Sequence, residues 1–164
     1  MVSKRLNSKN ARAPLAPSGS RRPVVSSRRA ALRLAKQDER IASVQRWVDA
    51  ALPLLRLSQW EVRVSAEPSE NDAWADIEAH SQADMATLRI SADYWKQDAD
   101  KRRQILTHEL LHLVTARLDQ TVDGLEETLG STAWGVFEPQ FENATERVVE
   151  HLARILARHL PPAP

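Results

Sequence analysis

Residues 105–114 read Ile-Leu-Thr-His-Glu-Leu-Leu-His-Leu-Val, and this stretch restricts the fold more than any other part of the chain. Apolar side chains point in most directions around it, so a helix formed here must be buried between other elements. Two histidines and a glutamate at its centre would be costly without a partner. His108 and His112 are four apart and share one helical face. Their imidazoles can therefore meet at one divalent ion. Glu109 is rotated by about 100° from His108, beside the pair, where it can take a proton from a water on that ion. The competing reading is two hydrogen-bonded or surface histidines beside a solvated carboxylate.

The remaining composition narrows the chemistry. The chain has 164 residues and no Cys, which excludes disulfides, thiolate metal ligands and a Cys nucleophile together. It contains no apolar run long enough for a membrane span. Hydrophobic residues make up 42%, enough for one modest core. The net charge of +1 conceals an asymmetry. Residues 1–37 hold ten of the 23 Lys and Arg and no acid, for +10; the rest holds thirteen bases and all 22 acids, for −9.

We divide the chain into a basic, disordered arm (1–27), a folded domain (28–160) and a tail (161–164). The arm is rich in Ser, Pro and Arg and offers little to bury. A solvated tail, a phosphate-binding arm and a targeting segment are its three readings; no secretory core is present. The domain opens with a helix whose stripe is Ile41, Val44, Trp47, Val48, Ala51, Leu52 and Leu55, starting as early as Ser27 and kinked or ended by Pro53. Residues 60–64 alternate as a half-buried strand. Strands are expected at 74–80 and 86–90, with a turn at 81–84. Asp98 or Asp100 caps a helix over 101–118. Residues 119–138, with three glycines, read as a long loop or a loop with a short helix, and a last helix covers 139–160. Its apolar stripe reads Phe141, Thr145, Val148, Leu152, Ile155 and Leu156. This order predicts an α+β fold: about three strands packed on the His108–His112 helix, with N- and C-terminal helices.

A catalytic zinc takes three protein ligands and leaves one position open. The extended motif with a further Gly and His is absent, since Thr115 and Leu118 stand at those places. The remaining donors are His80, His151, His159 and the carboxylates Glu138, Glu142, Glu146 and Glu150 of the last helix. Helical-wheel geometry favours Glu138 or Glu142, which flank the expected stripe.

His108-Glu109-Leu110-Leu111-His112, followed by residues 145–153 (Thr-Glu-Arg-Val-Val-Glu-His-Leu-Ala), resembles the zincin-like metallopeptidases of phage and prophage genomes. Residues 57–64 resemble their opening strand and residues 86–90 the strand before their active-site helix. The resemblance spans roughly 40–160, and the His-Glu-x-x-His element is its specific part. It implies a zincin fold, a glutamate third ligand at Glu146 with Glu142 as rival, Glu150 as a supporting partner, and a site in the cytoplasm of a bacterium or phage-infected host.

The reaction expected is peptide-bond hydrolysis with Zn²⁺ held by His108, His112 and Glu146, and Glu109 as general base and then acid. The strand at 86–90 or its neighbour offers an edge to an extended peptide. His80, Tyr94 and His151 are the oxyanion-stabilising candidates, each with an ordinary structural role as the alternative. Of the five tryptophans, Trp134 is the one expected to line a cleft. Two other readings stand beside this one. The domain could be a metal-containing binding module that contacts nucleic acid weakly through residues 1–37. It also resembles SprT-like proteases, although without Cys it has no zinc ribbon. Membrane contact is not expected, and oligomeric state is left open.

Overall fold

The computed structural model describes residues 24–69 and 73–164. Most of the basic arm lies outside the described residues. Three helices and a three-stranded mixed sheet make an α+β architecture.

Helix α1 runs Val24–Leu54, so helical backbone starts inside the segment read as arm. Ala30, Ala31, Leu32, Leu34 and Ala35 are strong helix formers and account for the early start. Among its described side chains the buried ones lie in the C-terminal half: Val44, Trp47, Val48, Ala51 and Leu52, at i, i+3, i+4, i+7 and i+8. Pro53 sits in the last turn, and the chain leaves through Arg56 in the left-handed region (φ 61°). Leu57 N–H closes back on Leu52 O at 2.8 Å, satisfying a carbonyl at the helix end.

The strands are β1 (Glu61–Val64), β2 (Ala75–His80) and β3 (Met85–Ile90), in the order β1-β3-β2. β1 runs parallel to β3, and β2 antiparallel to it. Residues 81–84 form the hairpin turn, with Asp84 at φ 51°. The strand at 86–90 is therefore central, and β1 and β2 are the two edge strands among the described residues. Arg89 on β3 reaches across to Asp76 at 2.8 Å and to Glu78, both on β2.

Helix α2 covers Ala99–Asp123. Of the two caps considered, Asp98 is the one used: its carboxylate accepts from Lys101 N–H at 2.8 Å. Leu106, Leu110 and Leu113 enter the core between the sheet and α1, while Leu111 packs against Val149 and Ala153 of helix α3 (Glu126–Leu156). α2 is thus covered on two sides, as its apolar sequence requires.

Two expectations fail at the C-terminal end. Residues 119–138 are mostly helical, not a loop: α2 continues to Asp123, and α3 begins at Glu126. The glycines suggested a loop, yet only Gly130 breaks helical geometry (φ 71°, ψ 161°), in a region that side chains other than Gly avoid. Second, the buried face of α3 is rotated by about one residue from the expected stripe. Val149 and Ala153 are buried, whereas Val148, Leu152 and Ile155 are exposed. The last four residues are also packed: Ala163 is buried, and the Trp47 indole donates to Pro161 O at 2.9 Å.

Candidate metal centre

The covered middle of α2 holds His108, Glu109 and His112. All three line one cleft together with residues of β2 and with Glu146 of α3. His108 Nε2 and His112 Nε2 approach to 3.1 Å, with ring centroids 4.9 Å apart. Glu146 of α3 straddles them. One carboxylate oxygen is 3.4 Å from His108 Nε2 and the other 3.2 Å from His112 Nε2. Each of the three residues offers a donor atom within 4.8 Å of the others, a group that could hold a metal ion.

The rotated face of α3 turns both Glu142 and Glu146 toward α2, and Glu146 is the one level with the two imidazoles. Glu146 is three residues before Val149 and seven before Ala153, so it lies on the packing face toward α2. Glu142 is exposed and Glu138 half-buried, and both lie outside the group.

Glu150, one turn beyond, faces the back of the first imidazole, with Oε2 3.3 Å from His108 Nδ1. Its other oxygen accepts from Arg154 Nε at 2.8 Å and Gln104 Nε2 at 3.0 Å. A carboxylate held on one oxygen and turned to Nδ1 with the other directs Nε2 at the shared point. Burial, the largest single contribution, pushes the Glu150 carboxyl up. The hydrogen bond and charge of Arg154, with His108 and Lys101, outweigh it and bring the carboxyl below its ordinary value. Glu150 is thus ionised.

Burial also dominates at His112. It lowers the imidazole below its usual range even though Glu146 and Asp119 pull the other way. The 3.2 Å approach of Glu146 is accordingly to a neutral ring, the form that ligates a metal.

Glu109 is buried beside the pair. Desolvation, then the charges of Asp76 and Glu146, push its carboxyl up to about 8. It opens onto a cleft of about 910 Å³ bounded by the outer edge of β2, with His80 and Ser81 at one end, and by His108, His112 and Glu146. A second groove of about 330 Å³ meets it at His108 and Glu109, lined by Trp74, Lys101 and Glu150.

The other expected positions divide. His80 lines the cleft. Tyr94 is fully buried in the core against Trp95, and His151 is exposed outside both grooves. Trp134 does not line the cleft: it is buried on α3 beside Phe137. Trp74 takes the place foreseen for it, with Lys101 Nζ 4.8 Å from its ring centroid. Its position just before a strand bordering the helix was the available signal. Comparison of the chain with protein-family models, curated proteins and solved structures gives no match.

Proposed function

We propose that the protein is a zinc-dependent metallopeptidase of zincin type, with His108, His112 and Glu146 as metal ligands and Glu109 as the catalytic base. The observation carrying this reading is the convergence of the two Nε2 atoms and the Glu146 carboxylate beside a buried, cleft-facing Glu109. The donor set suits the ion. Ligand atoms about 2.0–2.1 Å from a tetrahedral zinc lie about 3.3–3.4 Å apart. The closest approaches here are 3.1, 3.2 and 3.4 Å. Two imidazoles and one carboxylate also leave one of four positions for water.

When bound, the ion supplies Lewis acidity that brings a water's pKa toward neutrality and polarises a carbonyl. The chain's own groups do the rest. Glu109, as carboxylate, takes a proton from the attacking water and delivers it to the leaving amine. Its high intrinsic pKa makes it a competent base once a nearby cation favours its ionised form. Glu150 fixes the His108 ring. The outer edge of β2 has no strand partner among the described residues and borders the cleft along its length. An extended peptide can pair with that edge and lie across the donor group. It would run between the Trp74 and His80 ends.

The test is hydrolysis of an unstructured protein substrate by the zinc-loaded full chain. Wild type should cleave it, and Glu109→Gln should keep the metal and lose on the order of a thousandfold or more in rate. A zinc-loaded wild-type chain that cleaves no substrate, or a Glu109→Gln variant as active as wild type, would refute the reading.

A further inference from the structure

The N-terminal half of α1 extends beyond the packed body: residues 28–39 are exposed, and the first buried side chain of the helix is Val44. Arg29, Arg33, Lys36 and Arg40 follow one another at intervals of four, three and four. At about 100° per residue they fall within an arc of about 60°, and they span about 16 Å of axis. The acids that follow lie off this face, Asp38 opposite it and Glu39 about 80° away. Among the described residues no carboxylate forms an ion pair with Arg29, Arg33 or Lys36.

This cationic line runs into a groove. Arg33, Lys36 and Arg40 line a depression of about 420 Å³ together with Trp95 and the loop at Ser65. Arg40 Cζ sits 4.7 Å from the Trp95 ring centroid and Arg102 Cζ 6.0 Å, which anchors the end of the row to the domain. Gln37 Nε2 bonds Ala66 O at 3.2 Å and fixes the rotation of the helix about its axis. The row is therefore presented in a defined direction.

We propose that this face of α1 is a binding surface for the phosphate backbone of double-stranded nucleic acid. A straight row of four cations over about 16 Å runs alongside about five phosphates of one duplex strand, at about 3.4 Å per phosphate. An anionic membrane would want an apolar stripe beside the cations. The exposed Leu32 and Leu34 point about 160° apart and form none. The body beyond residue 37 has a formal charge of −9 and would repel the same polyanion, so affinity concentrates on this face. The proposal does not rest on the metal centre.

Fluorescence anisotropy of a labelled random-sequence DNA duplex, titrated with the full chain over a range of salt, tests it. The triple variant Arg29→Gln, Arg33→Gln, Lys36→Gln keeps good helix formers in α1, which circular dichroism verifies. It should bind about tenfold or more weakly at low salt, and its plot of log affinity against log salt should be shallower by about 2–3. A matched variant, Arg46→Gln, Arg63→Gln, Arg158→Gln, removes the same charge elsewhere and should bind as wild type within about twofold. Equal losses in the two variants, no duplex affinity of wild type at low salt, or binding to phosphatidylserine vesicles with none to the duplex would each overturn the proposal.

Discussion

Glu150 Oε2 lies 3.3 Å from His108 Nδ1, on the side of the imidazole facing away from the His112 and Glu146 donors. A carboxylate at that position favours a proton on Nδ1, which leaves Nε2 as the donor atom. Removing the carboxylate's charge while keeping its shape should cost tenfold to a hundredfold in metal affinity, on the order seen for such supporting partners. Competition of Glu150→Gln against a zinc chelator measures this. An unchanged affinity would mean that Glu150 only serves the surface pair with Arg154.

Glu146 and Glu142 are separated by one turn of the same helix, yet only Glu146 faces the imidazoles. Glu146→Gln should therefore lower zinc affinity steeply, and Glu142→Gln should leave it within about twofold. Chelator competition on both variants decides it; the reverse order of effects would assign the ligand to Glu142.

Glu109 predicts a pH dependence with a definite sign. In the metal-free chain its folded pKa is raised to about 8 by burial and by the charges of Asp76 and Glu146, against an ordinary value of 4.5. Below 4.5 both folded and unfolded states hold the proton, and the stability is fully present. Between 4.5 and 8 only the folded state holds it, so stability falls as pH rises, by up to about 1.4 kcal/mol per pH unit. Above about 8 the loss is complete. Chemical denaturation of the chelator-treated chain should show this decline from pH 5 upward, and Glu109→Gln should flatten it. Parallel profiles for the two proteins would show that Glu109 is not protonated in the fold. Zinc binding at neutral pH should correspondingly release a proton from wild type and not from Glu109→Gln.

Gly130 interrupts α3 at φ 71°, ψ 161°, and no atom stands within 4 Å of a Cβ placed there. Any cost of Gly130→Ala thus comes from the backbone alone, on the order of 1–3 kcal/mol. Urea denaturation measures it. A neutral substitution would show that the helix relaxes through this point.

The parts of this fold legible in the sequence are those with a strong local signal. The His-x-x-x-His spacing in an apolar run named the buried helix, Asp98 marked its cap, and the alternation at 60–64 marked β1. What misled was local evidence overruled by packing. Gly124 and Gly135 suggested a loop, but both sit in or beside helical turns. Val148, Leu152 and Ile155 form an apolar stripe, and a wheel drawn on them leaves Glu146 farther round from the core than Glu142. The small residue Ala153 allows α3 to approach Leu111 of α2 closely, which chooses the Val149–Ala153 face instead and carries Glu146 to the imidazoles. A wheel weighted by hydrophobicity ranks Ala last, so the contact that sets the packed face was the least visible one. Glu146 came from the resemblance of residues 145–153 to a known motif, which encodes that packing implicitly.

Calorimetric titration of zinc into the chelator-stripped full chain tests the central claim most directly. The account predicts one saturable site per chain in wild type, preserved in Glu109→Gln and lost in both His112→Ala and Glu146→Ala. No saturable site in wild type, or a site that survives the loss of His112, would contradict it.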